Sequence, residues 1–196
     1  MSIYLAGCNY NGEREQTNAH AAIVSAGGEQ LRGEWLDPDA GLSVFRGIPF
    51  AAPPIGDKRW QPPSPHVRRE GVQDASAFGN VCPQTQSNAK WYRDVAALIG
   101  TSPTPEFRTD NIDEDCLYLN VWTTNLNADD AQPVMLWIHG GGNWDGYAHE
   151  PDYDGQGLAS RGVVYVSINY RLGPLGYMAH PGLSAESGHA VSGNYG

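Results

Sequence analysis

The sequence predicts an α/β fold organised around a β-sheet, and three observations carry that expectation. Val134-Met135-Leu136-Trp137-Ile138 is an unbroken apolar run, the pattern of a strand buried on both faces. Val163-Val164-Tyr165-Val166-Ser167-Ile168 reads as a second, equally buried strand. A short helix candidate over residues 154–160 lies between them. Strand, loop, helix, strand is a βαβ unit, which belongs to a mainly parallel sheet.

The remaining elements follow in chain order. Residues 1–20 are polar and aperiodic and read as a disordered lead or linker, leaving 21–196 as a single partial domain. Ala22-Ile23-Val24 and Gln30-Leu31-Arg32-Gly33-Glu34-Trp35 flank Gly27-Gly28, which signals a β-hairpin. Leu42-Ser43-Val44-Phe45 alternates like a third short strand. A stretch rich in Pro and Gly then runs from Gly47 to Asn111. That is much longer than an ordinary loop, so a functional surface loop or one pinned by a crosslink is expected. Cys116-Leu117-Tyr118-Leu119-Asn120-Val121-Trp122 is a further strand.

Composition narrows the function classes. Hydrophobic residues make up 40% of the 196 and charged residues 17%, which are globular values. With 12 Lys and Arg against 22 Asp and Glu, the net charge is -10. Such a surface repels nucleic acid and anionic membranes, so neither is an expected partner. No apolar run reaches the length of a membrane span. Leu5-Ala6-Gly7-Cys8 is similar to the end of a bacterial lipoprotein signal, but the preceding stretch lacks a basic residue and is short. A chance match or a misplaced start both explain that.

The segment richest in chemistry is His139-Gly140-Gly141-Gly142-Asn143, directly after the strand 134–138. Acyl transfer passes through a tetrahedral oxyanion, which needs backbone N–H donors aimed at one point. Consecutive glycines let the backbone approach that point with no Cβ in the way. Three adjacent glycines alone more often make a plain turn. After a strand, the pattern is the oxyanion device of lipases and esterases.

Several stretches together extend this reading. They are Phe45-Arg46-Gly47-Ile48-Pro49-Phe50-Ala51-Ala52-Pro53-Pro54, Arg59-Trp60, Glu114-Asp115-Cys116-Leu117-Tyr118-Leu119-Asn120-Val121-Trp122, and the glycines 140–142. Asn169-Tyr170-Arg171-Leu172-Gly173 and Ser192-Gly193-Asn194-Tyr195-Gly196 complete the set. In this order and spacing the chain resembles the type-B carboxylesterases, which include cholinesterases and neuroligins. The resemblance implies the N-terminal portion of an α/β-hydrolase fold: a β-hairpin start, a disulfide-closed loop and the first strands of the central sheet. It implies Gly141 and Gly142 as oxyanion-hole donors, a Cys82–Cys116 disulfide closing the long loop, and a structural ion pair of Arg59 with Glu114. Arg171 matches a structural arginine whose carboxylate partner lies past Gly196. The chemistry implied is serine acyl-enzyme hydrolysis of a small-molecule ester, with no metal or organic cofactor.

In the family a G-x-S-x-G elbow with the nucleophile follows the segment ending at Gly196, and the triad acid and histidine come later. On this reading the chain carries none of the triad and is inactive alone. Ser184 and the pair Ser187 and His189 lie in loops that resemble the elbow superficially, without glycine at both required positions. Asp113, Glu114 and Asp115 diverge at a strand start and make a poor metal site. His139 reads as a structural loop residue rather than a base. Trp91, Trp144, Tyr147 and Tyr153 are candidates for a substrate pocket. Three functions compete: a fragment of an ester hydrolase, a non-catalytic recognition module, and one half of a split enzyme completed by a C-terminal chain. A disulfide implies an oxidising compartment, secreted or cell envelope, with the cytoplasm left open.

Overall fold

A computed structural model describes residues 21–102 and 111–196. The lead expected over 1–20, Cys8 included, lies outside them. The hairpin is present: β1 (Ala21–Ala26) and β2 (Glu29–Asp37) run antiparallel with Ala26 opposite Glu29. β3 (Leu42–Pro49) is longer than the expected strand. Its register against β5 (Tyr118–Thr123) breaks between Phe45 and Ile48 and then resumes. Asn120 Oδ1 accepts the Gly47 N–H at 3.0 Å inside the break. A bulge hides the period-two alternation from the sequence, which is why the strand reads short.

The stretch from Gly47 to Asn111 is less irregular than its composition suggests. It contains β4 (Val72–Asp74), parallel to β2, and a helix α1 (Ser87–Leu98). The helix buries only Ala89 and Ala96. Trp91, Val95 and Leu98 recur at helical spacing, but Trp91 and Leu98 stay exposed, and polar contacts described below hold the helix in place.

β6 (Val134–Ile138), α2 (Gln156–Ala159) and β7 (Val164–Ile168) form the expected βαβ unit, with β6 and β7 parallel. Short helices α3 (Gly173–Tyr177) and α4 (Pro181–Glu186) follow. The sheet order is β1-β2-β3-β5-β7-β6, with β4 beside β2. Four of the six pairings among the described residues are antiparallel, which corrects the expectation of a mainly parallel sheet. Parallel neighbours need a long crossover, and β6-α2-β7 supplies one, whereas β1 to β3 are joined by short turns.

The expectation of equal burial for the two apolar strands also needs correction. β6 lies at the sheet edge with all five residues exposed. β7 alternates, Tyr165 and Ser167 being buried and Val164, Val166 and Ile168 only half-buried. An apolar run reports the burial a strand is suited to; neighbours decide the burial it receives.

Val44, Leu42, Trp122, Ala159 and Tyr165 make one core cluster, and Ala22, Leu31, Phe45 and Ala75 another. Val44 and Phe45 are consecutive in β3, so these clusters occupy opposite faces of the sheet. Trp122 meets Tyr165 edge-on, with ring centroids 5.6 Å apart. A third cluster, Ala51, Cys82, Cys116, Leu117 and Leu172, surrounds the disulfide. Cys82 and Cys116 are bonded, with Cα atoms 5.0 Å apart and a sequence separation of 34. Replacing both with serine is expected to lower stability by about 2–4 kcal/mol, because the unfolded chain regains loop entropy. Urea unfolding measures the loss, and non-reducing peptide mapping should recover the linked pair; free thiols at both positions would refute the crosslink.

Candidate functional site

The carboxyl ends of the parallel strands β6 and β7 open at the same edge of the sheet. In open α/β sheets that is where ligands bind. The loops leaving the two strands are bonded together. Tyr170 Oη donates to His139 O at 2.8 Å, Ala148 N donates to Asn169 Oδ1 at 2.8 Å, and Gly173 N donates to Asn143 O at 2.6 Å. The His139 and Tyr170 rings stack at 4.4 Å. These contacts fix the base of the loop that begins at His139.

The glycine segment turns sharply above this base. Gly141 has φ 111° and Gly142 φ 63°. Gly141 O accepts from Trp144 N at 3.1 Å and Asp145 N at 3.2 Å. A Cβ on Gly141 would sit 1.8 Å from the Asp145 carbonyl oxygen, so no side chain fits there. Both glycines are exposed, and among the described residues nothing accepts from either N–H. Two consecutive donors on exposed residues are thus left without an acceptor among the described residues. Beside them Gly142, Asn143, Trp144, Gly173, Pro174, Tyr177 and Met178 line a cleft of about 490 Å³. Pockets that hold small organic ligands measure roughly 300–1,000 Å³.

The sequence matches the family model described as the carboxylesterase family over residues 20–196. The chain belongs to the carboxylesterase family. Similar curated proteins are the fumonisin B1 esterase of Sphingopyxis macrogoltabida, 44% identical over 79% of this chain and 26% of its own length, and the phenmedipham hydrolase of Pseudarthrobacter oxydans, 46% identical over 72% and 27%. The para-nitrobenzyl esterase of Bacillus subtilis (strain 168) is 41% identical over 70% and 26%. A solved PNB esterase structure superposes with TM-score 0.70 and 36% identity over 89% of this chain and 32% of its own. The fold is the α/β-hydrolase fold that the motifs implied, over the part these residues cover. The chain spans about a quarter of the curated relatives' length.

Around the glycine loop of this carboxylesterase-family chain, Arg59 and Glu114 form a bidentate ion pair. Nε reaches Oε2 at 2.6 Å and Nη2 reaches Oε1 at 2.5 Å. Glu114 holds the Arg59 guanidinium pKa above its ordinary value. Asp113 turns instead to accept the Asp115 N–H at 2.8 Å, so the three acids diverge. Arg171 is buried and donates to the Tyr195 and Gln61 carbonyls, both at 2.9 Å, while its Nη2 has no partner among the described residues. Two carbonyls make it less of an orphan than expected. Ser187 Oγ accepts from the His189 backbone N–H, and Ser184 bonds Ser192. Of the four aromatic candidates only Trp144 lines the cleft. Tyr147 is buried, Tyr153 rests on Trp137, and Trp91 is exposed on α1 against Tyr92.

Sequence reasoning missed two acids in the loop. Asp145 is buried and accepts from Thr85 Oγ1 at 3.1 Å and from the Ser87 N–H and hydroxyl, where α1 begins. Glu150 is buried and accepts from Tyr92 Oη at 2.9 Å and Asn88 Nδ2 at 3.3 Å, both on α1. Burial raises the Glu150 pKa, and the Tyr92 and Asn88 hydrogen bonds pull it partly back. These two acids dock a helix that buries only two alanines. An acid in a loop reads as solvated, so the sequence carries no signal for either.

His149 stacks on Phe78 at 4.3 Å. Burial, and secondarily His139, lowers its pKa from 6.5 to about 4. The folded pKa is depressed, so the fold gains nothing from protonation while the unfolded chain does. Its stabilising contribution is complete above the unfolded pKa of 6.5 and is lost as pH falls towards about 4. Between pH 7 and pH 5 this site alone is expected to cost about 2 kcal/mol. His149→Phe keeps the stack and should remove that part of the pH dependence. Urea unfolding of both proteins at the two pH values checks it; parallel pH slopes would exclude the assignment.

Proposed function

We propose that this chain supplies the oxyanion-stabilising portion of a serine carboxylic-ester hydrolase acting on a small-molecule ester. The observation that carries the reading is that the N–H groups of the exposed Gly141 and Gly142 have no acceptor among the described residues, beside an open cleft that Gly142 lines. In the reaction a serine oxygen attacks the ester carbonyl and the carbonyl oxygen becomes an anion. The two glycine N–H groups donate to it, each worth roughly 3 kcal/mol of transition-state stabilisation. Collapse expels the alcohol and leaves an acyl-enzyme, which water then hydrolyses.

No G-x-S-x-G occurs in the sequence. Ser184 and Ser187 are engaged with Ser192 and a backbone N–H. On this reading the nucleophile, the acid and the histidine come from a complementary C-terminal segment or chain. The purified 196-residue protein should then leave short-chain p-nitrophenyl esters at the buffer rate and take no label from a fluorophosphonate. Adding a chain with the downstream part of a family member should restore both. Labelling of Ser184 or Ser187 in the chain alone would overturn the division of labour.

A further inference from the structure

We infer that Gln84 is a positioning residue that holds the glycine loop by bonding both polar groups of Gly146. Its Nε2 donates to Gly146 O at 2.8 Å, and its Oε1 accepts the Gly146 N–H at 2.8 Å. A primary amide carries one donor edge and one acceptor, so it completes the backbone of a single residue as a neighbouring strand would. Only glutamine and the shorter asparagine carry a carbonyl acceptor and an N–H donor side by side on one planar group. Nε2 also donates to Cys82 O at 3.1 Å, which fixes the side chain's direction.

The hold is anchored on one side and passed on at the other. Cys82 is bonded to Cys116, two residues before β5. Val81 exchanges backbone bonds with Asn111 and Asp113, at 2.7 and 3.0 Å. Residues 81–84 therefore form a strut tied to the sheet. At the far end Gly146 lies tight against the start of the glycine run. A Cβ there would come within 2.6 Å of His139 Nδ1 and 2.7 Å of Gly140 O. Asp145, next to Gly146, closes the turn onto Gly141 O. Displacing Gly146 must displace the Gly140–Gly142 peptides, whose N–H directions the function depends on. The inference rests on the reading of Gly141 and Gly142 as oxyanion donors; the strut itself does not.

The test uses the whole oxidised chain and needs no ester turnover, so it remains informative if the esterase reading fails. Hydrogen exchange over residues 140–147 and the amide resonances of Gly141 and Gly142 are measured in wild type, Gln84→Ala and Gln84→Met. Methionine keeps the length and loses the amide. In both variants the Gly146 amide should exchange about tenfold faster, as expected for a lost hydrogen-bond pair. The Gly141 and Gly142 resonances should move, while strands 118–123 and 164–168 keep their protection. Four results overturn the inference: no protection of Gly146 in wild type, wild-type behaviour of Gln84→Met, unmoved Gly141 and Gly142 resonances, or equal loss of protection in the strands. A failed esterase assay with the expected exchange pattern would count against the proposed function alone.

Discussion

Gly141→Ala is expected to destabilise the protein by roughly 3 kcal/mol or more, and Gly142→Ala by only about 1. The residues are adjacent and both have positive φ, so composition and motif treat them alike. Gly142 sits at φ 63° with open space where a Cβ would go. Alanine there pays only the left-handed backbone term. Gly141 sits at φ 111°, and its Cβ would meet the Asp145 carbonyl oxygen at 1.8 Å. Asp145 cannot retreat freely, because Thr85 and Ser87 hold its carboxylate. Urea unfolding of the two variants measures the difference. Equal losses would mean that the turn relaxes and that the segment is less tightly built than described. If the glycines act as proposed, the ester turnover restored by a complementary downstream chain should fall more for Gly141→Ala than for Gly142→Ala.

The second large effect concerns association. Val134, Leu136 and Ile138 are 67%, 55% and 59% exposed. They register with Val164, Val166 and Ile168 of β7, so six aliphatic side chains share one face of the sheet. Among the described residues no strand pairs with the outer edge of β6. A bare apolar edge beside an uncovered apolar face is a template for pairing and aggregation. The isolated chain is therefore expected to self-associate at micromolar concentration. The double variant Val134→Lys, Leu136→Lys should shift it towards monomer by placing charge on that edge. Sedimentation velocity distinguishes the outcomes. A monodisperse wild-type monomer with a cooperative thermal transition would show that the face is covered in some other way.

Much of the architecture was legible because it is written in local terms. The Gly27-Gly28 hairpin and the apolar runs of β6 and β7 depend on neighbours in sequence, as does the glycine run after β6. Short-range sterics and side-chain periodicity act on them directly. The motifs around Arg59, Cys116 and Gly141 added the fold and the pairing of Cys82 with Cys116, both present in the structure.

What only the tertiary structure decided depends on partners distant in sequence. Helix α1 leaves the apolar Trp91 and Leu98 exposed, and it lies where it does because Asp145 and Glu150 meet its polar groups. The sheet is mostly antiparallel because β5 lies between β3 and β7, an adjacency no single strand encodes. Gln84 reads as an ordinary polar loop residue until Gly146, 62 positions later, is set against it. Sequence alone determined which segments could be strands, which glycines could present bare N–H groups, and which family the chain resembles. The burial of each strand, the docking of α1 and the support of the glycine loop were decided by long-range contacts, whose free energy appears only once the chain has folded.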